Sequence, residues 1–283
     1  MAGEDKVTIL NEIVHNEAIV EKFRREGVGQ AVSVDEIAGG TVIISAHGAS
    51  PEIFHRAEAR GLKVIDATCP LVIRIHKIVK KLAQNGYRVL HFGDGKHDET
   101  IGIVGHAPER VTVISGLDEL QALPPFSGKL AMTSQTTARV SDFVEMEAAA
   151  KEKFPQIEIF NTICNATNQR QAAIMDLAPK VDIMLVVGSE SSANSKRLAQ
   201  ISRAICGLAY LINTADDIKP EWFKNSPKEI NVVGLSAGAS TPDFLIEGAI
   251  ERLRAIAQSD VEVIYPQKRD LQNRLALKDE DDC

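Results

Sequence analysis

Cysteine stands beside threonine twice, each time after an apolar run: "KVIDATCP" ends in Thr68-Cys69, and "IEIFNTICN" leads through Thr162 to Cys164. Thiolates brought together from two parts of a chain are ligand material for zinc or an iron–sulfur cluster. Spacing alone also allows two ordinary buried cysteines, and two fall short of a usual ligand set. Cys206, in "SRAICGLAY", lies on the apolar side of a helical pattern and reads as a core residue. Cys283 ends a charged tail and carries no assigned role.

Histidine adds a second kind of chemistry. His15 ("IVHN"), His47 ("SAHG") and His97 ("GKHDE") each fall close to the end of a strand-like run. His55 and His76 sit in helical patterns, His91 in a strand run, and His106 after a short apolar stretch. A single histidine is usually structural, but three in matching positions suit anion binding or proton transfer. Glu99 follows His97 in the glycine-rich "GDGKHDETIG", where a general acid could stand beside it. Its ordinary reading is a solvated carboxylate.

Hydroxyl and amide groups complete the set: Thr136 and Thr137 in "TSQTT", Ser192 and Asn194 in "SESSANS", and Ser240 in "AGASTPD". Each precedes a helical pattern, where free backbone N–H groups and the helix dipole suit phosphate. Taken singly, each is also a helix N-cap. The chain has no P-loop lysine pattern and no G-x-G-x-x-G after a strand, so the reading is a diphosphate held by neutral donors and imidazoles.

The elements that must position these groups are short β-branched runs alternating with amphipathic stretches. Strands are expected at 6–10, 41–46, 63–66, 88–92, 111–115, 129–132, 157–160, 182–187, 209–212, 230–235 and 261–265. Helices are expected after Pro70, with Val72, Ile75, Val79 and Leu82 on one face, and over 195–207 and 242–258. The fold class is α/β with mostly parallel sheets, covered on both faces. Five strands run into polar loops at their C-terminal ends, where open α/β sheets bind ligands. The residues after Tyr265 are charged and are expected to be a mobile tail.

Composition bounds the rest. The chain has 283 residues, 44% of them hydrophobic, enough for a large core in two or three domains. A net charge of −7 argues against nucleic acid or an anionic membrane surface as partner. No apolar run approaches the ~20 residues of a membrane span, and "MAGEDKVTIL" has no signal-peptide core, which points to the cytoplasm.

In combination, "EIVHN", "SAHG", "DATCPLV", "HDETIG", "TSQTT", "ICNAT", "VVGSESSANS" and "SAGASTPD" resemble the 4-hydroxy-3-methylbut-2-enyl diphosphate reductase family (IspH or LytB) in order over roughly residues 6–258. The resemblance implies a trefoil of three α/β domains, placed here at 1–68, 69–163 and 164–258, with 259–283 as last strand and tail. It implies a central [4Fe–4S] cluster with Cys69 and Cys164 as ligands, reduced ferredoxin or flavodoxin as electron donor, and reductive removal of the substrate hydroxyl. His15, His47, Ser192, Asn194 and Ser240 would hold the diphosphate. His97 would contact substrate, Glu99 would supply the proton, and Thr136 would bind the hydroxyl and relay that proton.

The family also carries a cysteine near its N-terminus in a Gly-Phe-Cys motif followed by a helix. This chain opens at "MAGEDKVTIL", so the expectation is that the first strand, first helix and third ligand are absent and that the first domain bares apolar sheet. The favoured account is a natural start further upstream; the others are a truncated relative and a variant with another cofactor. Asp98 stands where the family has proline, and Ala193 where it usually has serine. Two rival readings stay open. A zinc or iron hydrolase built on Cys69, Cys164 and a loop histidine predicts a colourless, redox-silent protein. A non-catalytic diphosphate-binding module predicts stabilisation by ligand with no metal.

Overall fold

The computed structural model describes residues 6–226, 228–257 and 261–265. These residues form three separate sheets, and every strand pairing in them is parallel. The first sheet orders β2 (Gly29–Ala31), β1 (Val7–Leu10), β3 (Thr41–Ile44) and β4 (Lys63–Asp66). The second orders β6 (Val111–Ile114), β5 (Arg88–Phe92), β7 (Leu130–Ser134) and β8 (Glu158–Ile159). The third orders β10 (Ala209–Ile212), β9 (Ile183–Val187) and β11 (Val233–Ala237).

Central strands of a parallel sheet are buried on both faces, which explains the unbroken apolar runs. All five residues of β7 and all five of β9 are buried. On the second sheet, α3 (Pro70–Gln84) packs Ile75, Val79 and Leu82 onto Val89 and Ala131. The opposite face meets α6 (Val140–Lys153), whose Phe143 and Met146 reach Leu90 and Met132. On the third sheet, α7 (Asn165–Leu177) and α8 (Ala193–Cys206) cover one face with Ile174, Leu198 and Ile201. There α10 (Asp243–Ala257) brings Leu245 and Ala249 against Leu185 and Val187 on the other. Each such Val, Leu, Ile, Phe or Met side chain contributes about 1.5–3 kcal/mol on burial.

The first sheet differs from expectation. Its central strand is not bare, since Ile9 is 5% exposed. One face packs on α2 (Pro51–Ala59) through Ala57, Ile53 and Phe54. On the other, Val20 and Phe23 of α1 (Glu17–Arg25) face Ile9 across a cavity of about 230 Å3. Exposed apolar surface sits on the edge strand β4 instead, where Ile65 is 45% exposed.

Two further differences concern the elements themselves. The short strand β2, "GQA", has no β-branched run to announce it and forms by pairing with β1. The expected strand at 261–265 is absent: those residues are irregular and Ile264 is 82% exposed, so alternation without a partner strand was not enough. The charged segment after Tyr265, with Cys283, lies outside the described residues.

Candidate functional site

Loops from the first two sheets converge on three histidines. After β1 the chain turns at Asn11, whose φ of 60° is the left-handed conformation that asparagine tolerates. That turn leads to His15, which precedes Asn16, the N-cap of α1. His47 follows β3, and His97 is the N-cap residue of α4 (Asp98–Gly105). The His15 and His47 rings stack at 3.9 Å between centroids with planes 20° apart. His97 meets them edge-on, 5.1 Å from His15 and 5.5 Å from His47.

Hydrogen bonds orient the rings. Glu12 Oε2 lies 2.9 Å from His15 Nδ1, which leaves Nε2 of that ring free. Ser45 Oγ is 3.5 Å from His47 Nδ1. His97 Nδ1 accepts the Glu99 backbone N–H at 3.2 Å, so a neutral His97 carries its proton on Nε2 as a donor. Burial, then the neighbouring His15 and His97, pull His47 down to about 3. Burial and His15 pull His97 to about 4, against the opposing charge of Asp94. Both are neutral imidazoles near pH 7.

Glu99, the second residue of α4, is 2% exposed. Its carboxyl accepts the Thr136 backbone N–H at 2.7 Å and the Thr136 hydroxyl at 2.6 Å. Those two donors favour the carboxylate, but burial outweighs them and Glu99 holds its proton more tightly than an ordinary glutamate. A buried carboxyl that holds its proton more tightly than usual, beside a hydroxyl and next to imidazole donors, is suited to proton transfer.

Both cysteines are pinned to these same loops. The Cys69 backbone N–H donates to the Ala46 carbonyl at 3.0 Å, beside His47, and the Cys164 N–H donates to the Thr136 carbonyl at 3.0 Å. Each is an N-cap residue, Cys69 of α3 and Cys164 of α7, and both are half-buried. The Thr167 N–H donates to Cys164 Sγ at 3.2 Å, with the Thr167 hydroxyl 2.9 Å away. Hydrogen bonds of this kind accompany cluster-bound sulfur, and Cys69, which makes no side-chain cap bond, keeps its thiol open to a ligand role. Cys206 is not a third: it packs in the third core with Sγ 3.5 Å from the Val181 carbonyl. The threonines beside the cysteines build the loops, with the Thr68 hydroxyl on Asp66 and the Thr162 hydroxyl donating to the Ser134 carbonyl.

The third sheet closes the site. Ser240 Oγ donates to the His15 carbonyl at 3.3 Å, and the charge of Lys196 on α8 acts on His97. Asn194, at the start of α8, is 3% exposed with neither its Oδ1 nor its Nδ2 partnered, an amide whose burial leaves hydrogen bonds unmade. Ser192 is an N-cap whose Oγ accepts the Ser195 N–H at 3.2 Å, so the ordinary reading holds for that bond. Thr137 is likewise engaged, receiving the Gln135 amide at 3.0 Å.

Several neighbours had no role in the sequence reading. Glu12 stands three residues before His15, and Thr167 three after Cys164, which is capping spacing and the signal that could have found it. Asp98 registered only as a departure from proline. His76 and His106 stack at 4.0 Å behind the His47 loop, a pairing that no local pattern announces.

Residues 1–254 match the protein family described as LytB protein. The chain is 39% identical over 262 residues to the 4-hydroxy-3-methylbut-2-enyl diphosphate reductase of Methylibium petroleiphilum, covering 90% of this chain and 78% of that protein. It is 36% identical to the enzyme of that name from Neorickettsia sennetsu, covering 89% and 82%. Among solved structures, the E-1-hydroxy-2-methyl-but-2-enyl-4-diphosphate reductase of Plasmodium falciparum superposes with a TM-score of 0.84 at 30% identity, covering 97% of this chain and 90% of that one. A second solved structure, (E)-4-hydroxy-3-methyl-but-2-enyl diphosphate reductase, described as the terminal enzyme of the non-mevalonate pathway, gives 0.64 at 36% identity, with 90% of each chain covered.

Proposed function

This chain belongs to the LytB family, and we propose that it converts 4-hydroxy-3-methylbut-2-enyl diphosphate to isopentenyl and dimethylallyl diphosphate with the residues gathered at this site. It is an oxidoreductase of isoprenoid biosynthesis on the non-mevalonate pathway, as its relatives are. The single observation that carries the residue-level reading is the buried Glu99–Thr136 pair beside three converging imidazoles.

The reaction replaces a C–O bond by C–H and consumes two electrons and two protons, with the oxygen leaving as water. Diphosphate is the handle: His15, His47, Ser240 and the unpartnered Asn194 amide take its oxygens, with Ser192 at the start of α8. Holding the far end of the substrate fixes the position of its hydroxyl, which converts binding into orientation. His97 donates from Nε2 to the substrate. Thr136 receives the substrate hydroxyl, and Glu99 passes its proton through Thr136 to the departing oxygen. Cys69 and Cys164 would hold a [4Fe–4S] cluster, which supplies electrons and Lewis acidity toward the departing oxygen when bound. We take the three sheets as three domains, 1–68, 69–163 and 164–258, meeting at this site, with reduced ferredoxin or flavodoxin as electron donor. Among the described residues no helix is long and apolar enough to cross a membrane.

The test is anaerobic reconstitution of the chain with iron and sulfide, then turnover with a chemical reductant. The expected result is a brown protein that releases both isoprenoid diphosphates and loses turnover, while retaining inorganic diphosphate, as Glu99→Gln. A colourless protein holding one zinc and hydrolysing its substrate would overturn the reading.

A further inference from the structure

Asp98, the first residue of α4, brings a carboxylate to the imidazoles that take the diphosphate. A ring nitrogen of His15, one of His47 and a carboxylate oxygen of Asp98 all lie within 4.8 Å of one another, and all three residues are half-buried. We infer that Asp98 sets the affinity of this subsite: its negative charge opposes the incoming diphosphate at the His15–His47 stack and weakens its hold. The inference rests on the diphosphate reading of that stack and deepens it.

Distance is the first support. A phosphate oxygen bound to such a nitrogen at about 2.8 Å can be no further than about 7.6 Å from the Asp98 oxygen. That lies inside the screening length of about 8 Å at physiological salt, and half-buried charges are screened less than exposed ones. The repulsion therefore reaches the ligand.

The second is the lack of compensation. Burial is the largest influence on the Asp98 carboxyl and favours its neutral form; His15 pulls the other way and Glu12 adds to burial, with no hydrogen bond among these influences. Its neighbour Glu99, by contrast, accepts two hydrogen bonds from Thr136. Around Asp98 stand Glu12 on His15 and Asp94 acting on His97, with Lys196 as the opposing charge. His47 and His97 are neutral near pH 7, so they donate hydrogen bonds without offsetting a carboxylate.

The ordinary reading of Asp98 is a helix-starting residue, since an acid in the first turn of α4 suits the helix dipole. The backbone does not require one. His97, with φ −78° and ψ 137°, is extended as a residue before proline must be, and the first helical position tolerates proline. Proline is what the family this chain resembles carries there, so the carboxylate is this chain's own addition to the anion end.

The test is calorimetry of inorganic diphosphate binding to the reconstituted chain, to Asp98→Asn and to Asp98→Pro. Both variants should bind it roughly 10-fold more tightly than the parent, because a like charge facing the ligand is gone. The gain should shrink for inorganic monophosphate, which carries less charge, and at high salt. Asp98→Asn should at the same time unfold at a slightly lower temperature, since α4 loses a favourable charge at its start. A residue that only starts the helix would give that loss of stability without the gain in affinity. Variants that bind diphosphate no more tightly than the parent, or a gain equal for both anions and indifferent to salt, overturn the inference and leave the diphosphate reading standing. Absence of diphosphate binding in the parent and both variants overturns the diphosphate reading, and the inference falls with it.

Discussion

Two histidine pairs stack almost identically in different surroundings. His15 and His47 lie 3.9 Å apart with planes at 20°, and His76 and His106 lie 4.0 Å apart at 29°. The first pair faces the third imidazole, His97, and the carboxylate of Asp98. The second pair sits behind the "HGAS" loop, where His106 hydrogen-bonds the Ala49 backbone and the Nε2 atoms of both rings are buried without partners. Gly48 lies between them: a Cβ there would be 2.8 Å from His76 Cε1. Ring geometry is the same in both; what differs is what the free nitrogens face. On the proposed reading one pair addresses a ligand, and the other braces the loop that carries it.

The sharpest way to break this comparison is to remove chemistry from the open side. Glu99→Gln keeps the size and the Thr136 contact but cannot give a proton, and turnover should fall by about 100- to 10,000-fold with little change in KM. His76→Gln, on the bracing side, should cost far less in kcat. Equal losses would mean that the second pair takes part in the chemistry. Next in size is the anion itself. His47→Asn should weaken inorganic diphosphate by about 1.5–3 kcal/mol, the worth of a hydrogen bond to a charged group, measured by calorimetry. His106→Asn, out of reach of the ligand, should leave that affinity near its starting value.

Gly48 joins the two pairs and tests the brace directly. Its φ of +76° excludes an L side chain without strain, and a Cβ would also press on Thr68 Cγ2 at 2.9 Å. Gly48→Ala should therefore cost about 1–3 kcal/mol of stability by urea unfolding. Combined with His76→Ala it should recover only part of that loss, because the backbone strain remains. Full recovery would show that the ring contact alone sets the loop.

Much of this was legible because the chemistry sits at strand ends. The runs "KVID", "RVLHF" and "AYLI" became β4, β5 and β10 with the boundaries read from them, and the loops after β1, β3 and β5 did bring His15, His47 and His97 together. Periodicity could not say which histidines stack, since His76 and His106 meet through the packing of α3 against α4. Nor could it find β2, which exists only by pairing, or show that "VEVIY" lacks a partner. Capping and ligation also share residue types. Ser192 and Cys164 both cap helices through their side chains, and it takes buried groups left without partners, such as the Asn194 amide and the Ser195 hydroxyl, to tell more than a set of caps.

The smallest expected effect concerns acid. Burial, then His106, hold His76 at about 4 in the folded protein, against the pull of Asp66, whereas an unfolded histidine titrates near 6.5. Because the folded value is the depressed one, its contribution to stability is fully present above 6.5 and is lost as the pH falls toward 4, while the unfolded chain takes up a proton that the folded chain refuses. His76→Leu removes that difference. Its buried Nε2 has no partner to lose, so stability at pH 7.5 should change little. Between pH 6 and 4.5 the variant should lose stability less steeply than the parent, by up to about 1.4 kcal/mol per pH unit for the one proton removed. His47 and His97, also depressed by burial, will keep a slope in both proteins, which makes the difference the informative quantity. Urea unfolding at three pH values measures it, and parallel curves would mean that His76 is already charged behind the loop.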